Sequence, residues 1–572
     1  MRNYLHIDLN THTIRKEEQE GEVLARAGRY LIAKTLLDSG AATVDPLAPE
    51  NPLIFSAGPF AGTNFSNANR LSVGCKSPLT GGVKEANAGG TFAFAMGQLE
   101  ISGITLNGAS DDWVVIYIPK DDDITFEDAS PYMGKGNMEA AAMLHEKYGD
   151  KTSVALCGPV GEYQGLIAGI AFSDTDNRPS RLAARGGVGA VMGSKKVKAI
   201  VVDKHKMPTF HERKKLMGSV KTYGDMIAAD PKAEGLRRLG TALAADVTNH
   251  IGALPVNNFS IGSATIDMDP PFPMGGEAIA ERNEARGGEL AHACMPGCQI
   301  KCSNVYMDKN GEEVVSPMEY ETIGLLGTNC GLTDPDDVAH LNYDCNDLGI
   351  DTIEAGALIA VLMEAGDAEF GDVGFMKQVM DDWAAGNARG RDLAQGVARV
   401  GKQRGMKRLP VIKKQALSAY DPRVTEVTAV SMMTTTQGAD HTVGNAPTFP
   451  STEHTVEELV QESYNLQVLC ATNDSLGLCL FGRAVSNSNQ ELMVNALNDA
   501  LGTDLDVGFY AWIGHETLLL ERQFNADAGF DEGDNELPDF FIEEPLPPTN
   551  KTSRLRADVV TPAIDALLDE KS

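Results

Sequence analysis

Cys294-Met-Pro-Gly-Cys298-Gln-Ile-Lys-Cys302 puts three cysteines on one short stretch, and a fourth, Cys479, stands far along the chain. Thiolates converging from such a stretch hold zinc or iron, and a remote fourth ligand would tie two segments of the fold together. The alternative is a row of buried thiols on a helix face, although three cysteines so close together make poor core filler. Spacing does not separate a structural zinc from an iron–sulfur cluster.

Composition sets the outer limits. The 572 residues suffice for roughly three or four domain-sized units. A formal charge of −31 argues against nucleic acid, because a phosphate backbone is held by clustered Lys and Arg, and no basic run here is interleaved with aromatics. Nine cysteines are an odd number and sparse for the length, so no disulfide framework is expected. Met1-Arg-Asn-Tyr-Leu-His-Ile-Asp-Leu begins at once with strand-like alternation, so no secretory leader is expected. The longest apolar stretches, such as Ala357 to Met363, are too short to span a bilayer. The expectation is a cytoplasmic protein without membrane or nucleic-acid partners.

Up to about residue 205, short β-rich runs alternate with glycine and asparagine turns: Pro52 to Ser56, Gly103 to Leu106, Trp113 to Ile118, Ser153 to Cys157 and Ala199 to Val202. Three loops among them stand out. Asn69-Arg70 leads into Ser77-Pro-Leu-Thr-Gly-Gly82, Asn87-Ala-Gly-Gly90 follows, and Arg185-Gly186-Gly-Val-Gly-Ala-Val-Met-Gly-Ser-Lys195 comes later. Glycines admit close approach of backbone N–H groups, and Arg or Asn suits anionic oxygens, so together the loops suggest a phosphate cradle. Each loop alone also reads as an ordinary glycine turn. None is a nucleotide fingerprint, since the Gly-x-Gly-x-x-Gly spacing and the Gly-Lys-Ser/Thr ending are both absent.

Lys204 to Lys215 reads as a domain linker and solvated face. Asp334-Pro335 predicts a helix start that runs through His340 and Cys345 and stops at Gly349. Asp351 and Thr352 then cap a second apolar helix ending near Gly366. A similar arrangement returns later: Thr455-Val-Glu-Glu458 is a capping box, its helix runs toward Cys470, and Asp474-Ser-Leu-Gly-Leu-Cys479 follows. Aligned on glycines, Asn346 pairs with Asp474, Gly349 with Gly477 and Asp351 with Cys479. Two corners of one design would suit two copies of one ligand, and a pterin's paired N–H donors match a carboxylate acceptor. A recurring helix C-cap explains the same pattern. Asp527 to Glu544 reads as an acidic wrapped or solvated arm, followed by a rigid turn over Pro545 to Thr549.

These motifs, in this order from Asn69-Arg70 through Glu319-Tyr-Glu-Thr322 and Gly438-Ala-Asp-His441 to Cys479, resemble the aldehyde:ferredoxin oxidoreductase family over nearly the whole chain. The resemblance implies an α+β fold: a two-sheet, β-rich cofactor-binding domain over residues 1–205, then two mainly α-helical domains over 206–410 and 411–572. It implies a tungsten (or molybdenum) bis-pyranopterin whose metal is held by cofactor sulfurs, one four-iron four-sulfur cluster, and Mg2+ bridging the pterin phosphates. By motif, Arg70, Arg185 and Gly186 belong near the phosphates and Asn87 and Gly89 near the phosphates and magnesium. Asn346, Ile350, Asp351, Asp474 and Leu478 belong at the pterins, and Cys294, Cys298, Cys302 and Cys479 at the cluster. Glu321 and His441 match the proton-handling pair, types suited to general acid–base work, although a capping Glu and a core His read equally from the residues alone.

Two departures stand out. The cysteine stretch has three residues, Met295 to Gly297, between its first two cysteines where two are usual. Asn346 stands where an aspartate is expected, so Asp347 or Asp351 is expected to compensate. The implied reaction is oxidation of a small-molecule aldehyde to a carboxylic acid, with electrons leaving to ferredoxin or an iron–sulfur partner subunit and a homodimer or hetero-oligomer as the assembly. The alternatives are a same-family catalytic subunit that reduces an aromatic acyl-CoA, and a non-catalytic, cluster-carrying electron-transfer subunit.

Overall fold

The computed structural model describes residues 1–265 and 272–570. Its first third holds β1 (Arg2–Asp8), β2 (Thr13–Gln19), β3 (Leu53–Ala57), β4 (Leu71–Lys76), β5 (Val83–Ala88), β6 (Ile101–Asn107), β7 (Val114–Ile118), β8 (Thr125–Asp128), β9 (Thr152–Cys157), β10 (Ile170–Phe172), β11 (Arg181–Ala183) and β12 (Val197–Asp203). These form two six-stranded sheets, ordered β2-β1-β6-β3-β4-β5 and β11-β10-β9-β12-β7-β8. Each of the five expected strand runs lies on one of them. Strands β3 and β9 are buried throughout, which is why they read as continuous apolar runs and not as alternation.

The second sheet repeats the first with six strands added to each number. β1 and β6 run parallel, as do β7 and β12, while the remaining neighbours in both sheets are antiparallel. Ile7, Phe55 and Val73 from one sheet meet Ile116, Ala155 and Ile200 from the other in one buried core. Gly58-Pro59 follows β3, and Gly158-Pro159 follows its counterpart β9.

Beyond residue 205 the chain is mainly helical. Asp334 caps helix Pro335–Leu348 through the Asp336 N–H, and Gly349 ends it in the left-handed region at φ 72°. Asp351 caps Thr352–Glu364. Thr455 and Glu458 close the expected capping box on Val456–Ser475. A large core gathers residues from Ala242 to Leu568 together with Val160, Ile167 and Ala168 of the first third. A second core gathers Tyr223, Met295, Cys298, Leu478, Cys479, Met493 and Tyr510 around the cysteines. In the stretch expected to link the domains, Phe210 is buried and His211 N–H donates to the Ala500 carbonyl, so this segment is pinned and not wholly solvated. The acidic arm is wrapped: Leu537, Phe540 and Phe541 are buried while most of its carboxylates face water. Among the described residues no helix is long and apolar enough to cross a membrane.

Candidate active site between two glycine corners

The repeated sheets explain the repeated corners. A Cβ on Gly158 would stand 2.4 Å from the Leu348 carbonyl oxygen, and one on Gly58 would stand 2.5 Å from that of Leu476. Each sheet therefore seats one helix C-terminus on the glycine after its own corresponding strand. Gly169 N–H donates to the Gly349 carbonyl, and Arg70 N–H donates to the Gly477 carbonyl. Asp351 N–H reaches the Ile167 carbonyl, and Cys479 N–H the Asn67 carbonyl. Only residues without side chains allow backbones this close.

The same loop that receives Cys479 also holds the three-cysteine stretch. Ser66 Oγ accepts from the Gln299 N–H at 3.0 Å, and Asn69 Nδ2 donates to the Pro296 carbonyl at 3.3 Å. Gly297 turns at φ 78° with its Cα against the Asn64 backbone, which is how the longer loop is accommodated. The four sulfurs are thereby brought into one neighbourhood, where burial first and the other cysteines second push the Cys298 thiol up to about 12. Such a set stays protonated unless a cation compensates the thiolates. Among the described residues no three of these sulfurs lie within 4.8 Å of one another.

A cavity of about 470 Å³ opens beside them, lined among others by Arg70, Asn87, Gly89, Arg185, Asn346, Ile350, Asp351, Glu321, His441, Cys294, Cys302 and Cys479. Of the residues expected from sequence, Gly186, Asp474, Leu478 and Cys298 are not among those that line it. Gly186, at φ 78°, leaves room for the buried Lys84 stem, 2.5 Å from where a Cβ would be. Arg70 donates through Nε to the Asn87 side chain and through Nη2 to the Asn87 carbonyl. Its Nη1 has no protein acceptor among the described residues and lies 3.2 Å from a Cβ built on Gly89, which would also stand 3.1 Å from Cys294 Sγ. The Arg185 guanidinium is engaged by Asp351, Ser418 and the carbonyls of Ala416 and Ala439. Asp347 accepts the Met138 N–H at 2.8 Å and fills space against Gly136, so of the two carboxylates expected to compensate for Asn346 only Asp351 faces the cavity.

Glu321 and His441 meet at the cavity, Oε1 to Nε2 at 3.3 Å. Glu321 lies on the turn opened by Tyr320–Thr322 and His441 on the loop after Gly438, and residues 418–420 clamp both. Ala419 N–H donates to Glu321 Oε2 at 2.8 Å, Ser418 Oγ stands 2.7 Å from His441 Nδ1, and the Tyr420 ring tilts against the imidazole at 5.5 Å. Tyr320 OH donates to the Ala419 carbonyl and fixes the clamp. Burial raises the Glu321 carboxyl to about 8, against the opposing pull of the Ala419 N–H and Arg185. Burial lowers His441 to about 4, against the pull of Asp440. At neutral pH a protonated carboxyl therefore faces a neutral imidazole, and Glu321 Oε1 is buried without a hydrogen bond.

Sequence reasoning missed Arg29, Lys84, Ser418 and Glu521. Arg29 forks onto Glu521 at 2.7 and 2.9 Å and reaches Asp474 at 3.3 Å. Lys84 Nζ donates to Asp440 Oδ2 at 2.9 Å beside His441. The partners of Arg29, Glu521 and Lys84 lie hundreds of positions away, so no local motif announces them.

Family models described as "Aldehyde ferredoxin oxidoreductase, N-terminal domain" and "Aldehyde ferredoxin oxidoreductase, domains 2 & 3" match residues 4–204 and 219–570. The tungsten-containing aldehyde ferredoxin oxidoreductase of Pyrococcus furiosus is 34% identical, covering 95% of this chain and 92% of its own length. That of Thermococcus kodakarensis is 33% identical, with coverage of 95% and 92%. Among solved structures, the active site complex BamBC of benzoyl coenzyme A reductase, in complex with 1,5-dienoyl-CoA, superposes with a TM-score of 0.81. It covers 100% of this chain and 95% of that one at 20% identity, a likeness of fold alone.

Proposed function

Because the chain belongs to the aldehyde ferredoxin oxidoreductase family, an oxidoreductase family, we propose that it oxidises aldehydes to carboxylic acids and passes the electrons to a ferredoxin-type carrier. The observation that carries this reading is the Glu321–His441 pair, 3.3 Å apart, facing the cavity that Arg70, Asn87 and Cys479 also line. A tungsten bis-pyranopterin bound there would supply the two-electron acceptor, and a four-iron four-sulfur cluster the one-electron exit.

The residues fit these groups. Arg70, through its unengaged Nη1, would hold a pterin phosphate, with Asn87 and Gly89 beside it and the associated magnesium. Asn346, Ile350 and Asp351 would meet one pterin, and Asp474 and Leu478 the other. Arg185 would act from behind Asp351, and Gly186 by admitting the Lys84 stem. Cys294, Cys298, Cys302 and Cys479 would ligate the cluster, close to the second corner because Cys479 belongs to both. His441 orients the aldehyde carbonyl or its hydrate, and Glu321 in its ionised form takes the proton released.

Gly89→Ala tests the shared wall directly. The added methyl would meet both Cys294 Sγ and Arg70 Nη1, so iron and tungsten content should both fall below half of the parent's in a folded protein. Retention of both metals would show that Gly89 borders neither group. The reaction itself is tested by elemental analysis for tungsten, molybdenum and iron, with dye-coupled oxidation of a panel of aliphatic and aromatic aldehydes. A metal-replete protein that oxidised none of them, or that reduced an aromatic acyl thioester instead, would overturn the assignment.

A further inference from the structure

We propose that Ser418 is a positioning residue that fixes His441 as the tautomer with its proton on Nε2, so that an N–H donor is presented in the cavity to the substrate oxygen. This role rests on the one given above to His441 and adds the group that sets its hydrogen.

Donors and acceptors around Ser418 decide the tautomer. Ser418 is fully buried, and its Oγ has two neighbours among the described residues: His441 Nδ1 at 2.7 Å and Arg185 Nη1 at 3.3 Å. A guanidinium only donates. Arg185 therefore takes a lone pair of Ser418 Oγ, and the hydroxyl hydrogen is left for an acceptor. Nδ1 is the acceptor within reach, so it carries no hydrogen, and in a neutral imidazole the proton then sits on Nε2. Nε2 lies 3.3 Å from Glu321 Oε1 and makes no hydrogen bond to it, which leaves its hydrogen to the cavity that both residues line. The opposite tautomer would leave the Ser418 hydroxyl hydrogen buried without an acceptor, at the cost of an unmade bond.

Asp440 does not compete for a proton on Nδ1. Its Oδ1 stands 4.0 Å away and already accepts from Thr442 N–H and Oγ1, while its Oδ2 accepts from Lys84. The other charged groups acting on the ring, Arg185, Arg483 and Lys84, all disfavour a second proton. The consequence is a histidine that stays neutral and donates. Such a group polarises a carbonyl oxygen as negative charge develops there and is not consumed as a base. That leaves proton acceptance to Glu321 alone.

Ser418→Ala should lower kcat by roughly tenfold to a hundredfold, less than removal of an acid–base group costs, with KM changed less than kcat. Removing a donor to the unprotonated nitrogen also removes support for the neutral ring, so the His441 15N resonances should titrate at a higher pH than in the parent. Ser418→Thr keeps the hydroxyl and should restore at least part of both quantities. In protein labelled with 15N-histidine, the His441 resonances, identified by their loss in His441→Gln, should show Nε2 as the protonated nitrogen in the parent. Protonation on Nδ1 in the parent would overturn the proposal. So would a Ser418→Ala protein with full metal content in which His441 titrates as in the parent, or an equal loss in Ser418→Thr with the alanine variant's His441 titration unmoved. If His441 proves dispensable while the Nε2 assignment holds, the functional reading fails and the tautomer assignment survives.

Discussion

Glu321→Gln should lose about 10²–10⁴-fold in kcat, the usual loss on removing a general base, and should at the same time remove one group's share of the parent's pH dependence of stability. Burial brings the Glu321 carboxyl from 4.5 to about 8. As an acceptor it works ionised, so kcat/KM in the parent should climb as pH rises through about 8. Stability should move the other way. Between pH 4.5 and about 8 the folded chain keeps a proton that the unfolded chain has released. Each step upward in that window therefore costs folding free energy, about 1.4 kcal/mol for every tenfold fall in proton concentration. Glutamine does not titrate, so the variant's stability relative to the parent should grow across the window and level off above it. Denaturant unfolding at several pH values, set beside steady-state rates, checks both halves. A variant that retained the parent's rate would remove Glu321 from the chemistry. A parent whose stability did not fall across the window would show that its carboxyl is already ionised.

The sequence carried those parts of this site that depend on local pattern. Asp334-Pro335, Asp351 and the Thr455–Glu458 box announce helix starts because capping is settled within one turn. The two glycine corners were legible as a repeat because each needs a residue at positive φ. What they dock on was less visible. The duplication of the sheets is carried by apolar runs that any buried strand shares, although Gly58-Pro59 and Gly158-Pro159, each closing such a run, were a usable sign. Charges were the least legible. Of the two carboxylates weighed beside Asn346, Asp347 is taken up by the Met138 N–H, a contact 209 residues away in the chain, and Asp351 faces the cavity. Arg29 and Glu521 are 492 positions apart. No spacing rule reaches such pairs, which form where burial leaves two charges no partner but each other.

That last pair supports the second large prediction: Arg29→Met should destabilise the protein by about 3–5 kcal/mol, the usual result of stripping one partner from a buried ion pair. Arg29 and Glu521 are each about 1% exposed, and Glu521 also accepts from Thr436 Oγ1 and Gln437 Nε2 at 2.7 Å. These neutral donors would remain, but without Arg29 a carboxylate is left uncompensated in the interior. The effect reaches the second corner. Burial first, and Glu85 second, lift Asp474 to about 8, and Arg29 is the largest influence opposing them. Without Arg29 the Asp474 carboxyl should hold its proton to still higher pH and lose the guanidinium 3.3 Å away that holds it in place at the corner. Tungsten content should therefore fall together with stability. Arg29→Lys keeps a charge but not the fork, so it should fall between the two. The double variant Arg29→Met with Glu521→Met removes both charges and should recover most of the lost stability. It should not recover the metal, because Asp474 would still lack its cation. Full tungsten loading in the double variant would sever this network from the corner, and a cost below about 1 kcal/mol, the range of an exposed pair, would mean that water reaches Glu521.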